Sequence, residues 1–168
     1  MSSATRFHRP RRARPRRIAG VVRLAFELAV ADIARDVARR HPELRAAHLQ
    51  VFGFGSIEGR RVTDLATRAA MTKQSMHELI GYLQRHDYLT REPDPDDERA
   101  RLIRLTARGR ELEEAVQAAS ARLHLSWRDQ VGAERFDIVW SALQDIVGGV
   151  DPPPDEASLR CLAKRLVD

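Results

Sequence analysis

The sequence predicts a mainly α fold with a small β-hairpin wing. Three observations carry that expectation. Apolar residues recur at helical spacing along most of the chain, two short strand-like runs flank a strong turn signal, and a well-capped helix follows the second run. With 168 residues, 43% apolar and 32% charged, the chain suits one domain with extensions and is too polar for a membrane protein. Aromatics make up only 5%, so the core must consist mainly of Leu, Val, Ile and Ala.

Residues 1–17 hold seven arginines and no acid, while residues 18–168 hold 22 basic and 24 acidic groups. The folded part is therefore not globally basic, and the high pI reflects a tail. Residues 1–17 are expected to form a disordered basic arm, either a source of nonspecific phosphate contacts or sequence upstream of a misassigned start codon. Basic residues before Ile18–Ala31 superficially suggest an export signal. Arg23, Glu27 and Asp32 interrupt the apolar run well below the length of a membrane span, so a cytoplasmic location is expected.

From Ile18 to about Arg40, Val22, Phe26, Ala29, Ile33 and Val37 step at helical period. Val21, Leu24, Leu28 and Val30 widen the apolar face beyond one stripe, which suggests burial against a second partner. Pro42 is expected to start a second helix that buries Leu44, Leu49, Val51 and Phe52 and ends at the loop Gly53-Phe54-Gly55-Ser56. That loop follows a helix rather than a strand and is a poor phosphate-loop match.

Two short helices are expected near 62–70 and 73–87, with Thr72 as N-cap of the second. Tyr88–Pro93 and Ala100–Leu105 read as the strands of a hairpin with a longish charged tip around Asp94-Pro95-Asp96-Asp97. Thr106 caps a long helix running to about Val131 with Leu112, Val116, Ala119, Leu123 and Trp127 as its stripe, and Gly132 ends it. Phe136, Val139, Trp140, Leu143, Ile146 and Val147 mark another helix, stopped by Gly148-Gly149. Pro152-Pro153-Pro154 breaks the chain before a short final helix capped by Asp155.

An isolated hairpin is marginal in water, so this one must pack on the helices before it, giving a winged helix–turn–helix. In its first helix Ala66 is small where the second helix crosses, and Leu65, Ala69, Met71, Met76 and Leu79 supply the apolar contacts. Ala70 departs from the ideal, since glycine is easier where a turn visits positive φ. In the second helix Met76, Leu79, Ile80 and Leu83 are expected inward, leaving Gln74, His77, Glu78, Gly81 and Gln84 outward. Its first turn offers Thr72, Lys73, Gln74 and Ser75, groups suited to base edges and phosphates at a positive helix terminus.

Val62–Leu112 resembles the DNA-binding core of the multiple antibiotic resistance regulator (MarR) family. Asp64-Leu65-Ala66, Thr72-Lys73-Gln74-Ser75, Leu83, Leu89, the wing's Asp-x-Arg at Asp97-Glu98-Arg99, and the Leu-Thr-x-x-Gly at Leu105–Gly109 carry the likeness. The resemblance implies a winged helix–turn–helix lobe plus a helical dimerisation domain, and a homodimer bound to double-stranded DNA. It also implies that Thr72, Lys73, Gln74, Ser75 and His77 contact the major groove and that Arg99 reaches the minor groove. Asp97 would shape the wing. Glu78 sits awkwardly on the same face, since a carboxylate repels phosphate unless it reads a cytosine.

The implied organisation is a basic arm at 1–17, N-terminal dimerisation and linker helices at 18–59, and the winged lobe at 60–106. C-terminal dimerisation helices follow at 107–150, then a Pro-rich break with a short helix at 151–168. The resemblance further implies release by a small aromatic effector, with no cofactor and no membrane. No pocket is legible: His41, His48, His124, Trp127 and Arg128 are expected to be packed or surface groups. The single cysteine, Cys161, excludes an internal disulfide and multi-cysteine metal sites, and is expected to be buried.

Catalysis is disfavoured on inventory. His77-Glu78 lacks a second histidine one turn on, where Gly81 stands, and neither a Gly-x-Ser-x-Gly nor a Walker loop occurs. The expected function is a dimeric repressor-type transcription regulator. The near-neutral folded part leaves one alternative, a helical dimeric protein-interaction module with a vestigial winged lobe.

Overall fold

The computed structural model describes residues 17–53 and 55–147. The expected basic arm up to residue 16, Phe54, the Gly148-Gly149 stop, the Pro-rich break, the final helix and Cys161 lie outside the described residues. The element order is α1 (Ile18–Val37), α2 (Ala46–Leu49) with a 3₁₀ turn (Gln50–Phe52), α3 (Val62–Arg68) and α4 (Lys73–Arg85). The strands β1 (Leu89–Asp94) and β2 (Asp97–Leu105) follow, then α5 (Ala107–Val131) and α6 (Ala133–Val147). The fold is mainly helical, with one antiparallel two-stranded sheet among the described residues.

The second helix starts later than expected, at Ala46 rather than Pro42. Arg45 is extended at φ −107°, ψ 160°, which interrupts any helix from Pro42. His48 stabilises that break by accepting the Arg45 N–H at Nδ1 over 3.0 Å. Leu44, Leu49, Val51 and Phe52 are nevertheless all buried.

The hairpin tip is also tighter than expected. Strand pairing runs from Leu89↔Leu105 to Asp94↔Asp97, with a register shift between Pro93 and Asp94, so only Pro95 and Asp96 lie between the strands. Side-chain bonds at the tip account for this: Asp94 Oδ1 accepts the Asp96 N–H at 3.0 Å, and Asp97 Oδ1 accepts the Arg99 N–H at 3.1 Å. Arg99 therefore sits in a strand, not a loop.

The core gathers in the winged lobe. Ile57, Met76, Ile80, Leu83, Tyr88 and Ile103 are fully buried, and Leu89 and Leu105 seal the hairpin against the helices. Residues 57–61 run along β2: the Gly59 N–H meets the Ile103 carbonyl at 2.8 Å, and the Ile103 N–H meets the Arg60 carbonyl at 2.9 Å. The hairpin thus gains a third backbone partner, which offsets its weakness in isolation.

The long helix α5 carries its buried stripe through Leu112, Ala115, Val116 and Ala119, packed against the C-terminal half of α1. Arg122 and Asp36 join the two helices at 2.7 Å. Among the described residues the N-terminal half of α1 has no such cover: Val22 is 51% and Leu28 55% exposed. On α6 only Phe136 is buried, and Ile146 is 78% exposed. Among the described residues, two broad apolar faces are therefore open.

Candidate nucleic-acid interface

The turn between α3 and α4 closes through the Met71 N–H to the Ala66 carbonyl at 2.9 Å, with Ala70 at φ 49°. This is the positive-φ position where the sequence lacks glycine. Thr72 then caps α4: its Oγ1 accepts the Ser75 N–H at 3.1 Å and donates to Ser75 Oγ at 2.9 Å. Both hydroxyls belong to the cap, so their groups are oriented before any ligand arrives.

With Met76, Ile80 and Leu83 fully buried and Leu79 half-buried, the opposite face of α4 is left to Lys73, Gln74, His77 and Glu78, all exposed. His77 Nδ1 bonds its own helix at the Lys73 carbonyl, 2.8 Å away, leaving Nε2 outward. The Gln74 amide donates to Glu78 Oε1 at 3.3 Å, partly occupying that carboxylate. The first turn of α4 therefore joins a lysine, a carboxamide and an imidazole to the positive end of a helix dipole.

On the hairpin, Arg99 is exposed, and the half-exposed Asp97 has both oxygens engaged, Oδ1 by the Arg99 N–H and Oδ2 by Arg61. Its Oδ2 lies 3.4 Å from Arg61 Nη1, and the same guanidinium meets the buried Asp94 at 2.5 Å. The role of Arg61 is missed by the sequence reading, because 33 residues separate it from Asp94 and charge runs are usually solvated.

A second polar cluster ties residues 41–43 to the lobe. Tyr88 is fully buried and donates its hydroxyl proton to Glu43 Oε1, which Arg108 Nη2 also reaches at 2.6 Å. With that proton committed, His41 Nδ1, 2.8 Å from the Tyr88 oxygen, serves as donor. Burial and the Glu43 carboxylate push the Tyr88 hydroxyl up, and the Tyr88 bond holds Glu43 below its ordinary value. His48, Tyr82 and His86 stack face to face at 3.9 Å and 4.0 Å, joining α2 to the last turn of α4.

His124 packs edge-on against Phe136 and Trp140, and Arg128 pairs with Asp137 at 3.1 Å. These groups join α5 to α6. A cleft of about 400 Å³ lies between α1 and α5, floored by Val37, Ala115 and Ala119 and walled by the pairs Arg35–Asp32 and Arg122–Asp36 together with Arg39. Among the described residues no helix is long and apolar enough to cross a membrane.

Residues 44–100 match the MarR family. No curated protein matches the chain. Among solved structures, a MarR-family transcriptional regulator from Rhodococcus sp. RHA1 shares the fold with TM-score 0.65 at 18% identity, over 78% of this chain and 92% of that one. CouR from Rhodococcus jostii RHA1, bound to p-coumaroyl-CoA, gives 0.64 at 18% identity, over 81% and 95% of the two chains. The transcriptional repressor CouR bound to a 23-mer DNA duplex gives 0.63 at 20% identity, over 77% and 92%. At these identities the likeness is one of fold.

Proposed function

We propose that this chain is a dimeric, sequence-specific DNA-binding transcription regulator, a reading supported by the match of residues 44–100 to the MarR family and by the winged helix–turn–helix fold. The carrying observation is α4 itself. Its inward face is sealed by Met76, Ile80 and Leu83, while its capped N-terminus offers Lys73, Gln74 and His77 outward on the lobe that presents Arg99. In this reading α4 enters the major groove with Thr72, Lys73, Gln74, Ser75 and His77, and Arg99 reaches the neighbouring minor groove. Asp97 shapes the wing.

The open apolar faces of α1 and α6 support a homodimer, since exposed patches of this kind mark association surfaces. Two lobes then meet a pseudo-palindromic operator with half-sites about one helical turn apart. Repression relieved by a small effector is part of the same proposal. The α1–α5 cleft has an apolar floor and walls that mix Arg35, Arg39 and Arg122 with Asp32 and Asp36, and it is the place in the described fold where this reading puts a small effector; CouR was solved bound to p-coumaroyl-CoA.

The test is a shift assay on a duplex selected from a random pool. Arg99→Ala weakens binding by about 1–3 kcal/mol if Arg99 reads the groove, and affinity falls steeply with salt. Unchanged affinity removes Arg99 from the interface. No selected duplex at all, with dimers intact, favours the protein-interaction module. A chain that sediments as a monomer at micromolar concentration sinks the two-lobed reading.

A further inference from the structure

We propose that Arg61, outside both the hairpin and α4, is the positioning residue that sets the wing and so fixes where Arg99 is presented. This rests on the DNA-binding reading above and adds to it a residue and a mechanism.

Arg61 stands immediately before α3, and its backbone bridges to Leu102 of β2. Its guanidinium meets two carboxylates with different edges. Nε and Nη2 reach Asp94 Oδ2 at 2.7 and 2.5 Å, and Nη1 reaches Asp97 Oδ2 at 3.4 Å. The remaining oxygen of each carboxylate is already used within the turn, Asp94 Oδ1 by the Asp96 N–H and Asp97 Oδ1 by the Arg99 N–H. Each aspartate therefore shapes the tip with one oxygen and anchors it to the start of α3 with the other.

The division of labour has a physical reason. The Asp94 side chain is only 6% exposed, and a buried carboxylate is tolerated when it is paired and its lone pairs are filled. The Asp96 amide, and after it Arg61, hold Asp94 below the usual carboxylate range. Asp94 and Asp97 are the pair facing each other across the two-residue tip. Tying both to one guanidinium locks the hairpin end to the helix–turn–helix, so the wing cannot swing independently of α4. A lysine ammonium lacks the planar fork that presents separate edges to two carboxylates. The Asp97 Oδ1 bond to the Arg99 amide carries the constraint to the arginine proposed to read DNA.

The experiment is a double-mutant cycle on a duplex selected from a random pool, with hydrogen exchange on the DNA-free protein. Arg61→Ala weakens binding about tenfold when Arg99 is present and less than about twofold in the Arg99→Ala background, because it acts through Arg99. Arg61→Lys recovers only part of that loss. In the free protein Arg61→Ala speeds exchange at the Asp96 and Arg99 amides, while α4 amides keep their protection. Equal losses in both backgrounds overturn the proposal, since Arg61 then touches DNA itself or supports the whole lobe. Full recovery by lysine overturns the two-carboxylate anchor. Unchanged exchange at Asp96 and Arg99 overturns the anchor even if the protein never binds a duplex, so its failure is separable from failure of the DNA-binding reading.

Discussion

The carbonyl oxygen of Tyr88 stands 2.0 Å from the position a β-carbon on Gly109 would take. The first turn of α5 therefore rests directly on the backbone where α4 gives way to β1. Thr106 frames the contact: its N–H meets the same Tyr88 oxygen at 3.2 Å, its hydroxyl donates to the Asp87 carbonyl at 2.6 Å, and its Oγ1 caps the Gly109 N–H at 3.0 Å. The Leu-Thr-x-x-Gly stretch is thus a docking joint between the winged lobe and the long helix. Gly109→Ala must separate two backbones and is expected to cost about 1–3 kcal/mol, read as a lower denaturant midpoint. An unshifted midpoint would show that the joint yields freely.

Ala70 is the one place where the helix–turn–helix works against its own residue type. At φ 49° an L-alanine is strained by about 1–2 kcal/mol, and glycine removes that strain while adding about 0.4–1 kcal/mol of unfolded-state entropy. Ala70→Gly is expected to raise the melting temperature by a few degrees without altering oligomeric state. A fall in melting temperature would show that the turn relaxes out of the left-handed region.

The features legible in the sequence share a short range. Thr72 and Thr106 cap helices three residues ahead, apolar periodicity marks the buried stripes of α4 and α5, and Pro95-Asp96 marks the turn. Less legible are the features made by distant groups. Glu43 meets Tyr88 across 45 residues and Arg61 meets Asp94 across 33, and in each case the charged residue alone looks like ordinary solvated surface. The Arg45 break in the second helix escapes for a related reason. Pro42 is an acceptable first helical residue, and only the packed structure imposes the extended residue three places on.

Burial holds His41, His48 and His124 below the ordinary imidazole value of about 6.5. The fold therefore favours neutral rings, while the unfolded chain takes up protons as pH drops. Stability is fully present above the unfolded value and falls as pH descends from it towards the lower folded values. Melting temperature is expected to decline between about pH 7.5 and pH 5.5, and His48→Gln, which keeps an acceptor for the Arg45 N–H, should flatten part of that decline. A wild-type profile that is level across this range would contradict the sign.

Glu78 is the group on the outward face of α4 that opposes phosphate. Its carboxylate accepts from Gln74 at 3.3 Å but remains exposed beside Lys73 and His77. Removing the charge while keeping the shape, as Glu78→Gln, leaves folding within about 0.5 kcal/mol because no buried contact is lost. Affinity for a random-sequence duplex is expected to rise about two- to fivefold, an effect that shrinks as salt is added. The selected duplex supplies the other half of the argument. If Glu78 only repels, binding there rises by a similar factor, whereas if it accepts a hydrogen bond from a cytosine amine, binding falls and sequence preference relaxes at one position. No change on either duplex would mean that this face of α4 does not meet DNA.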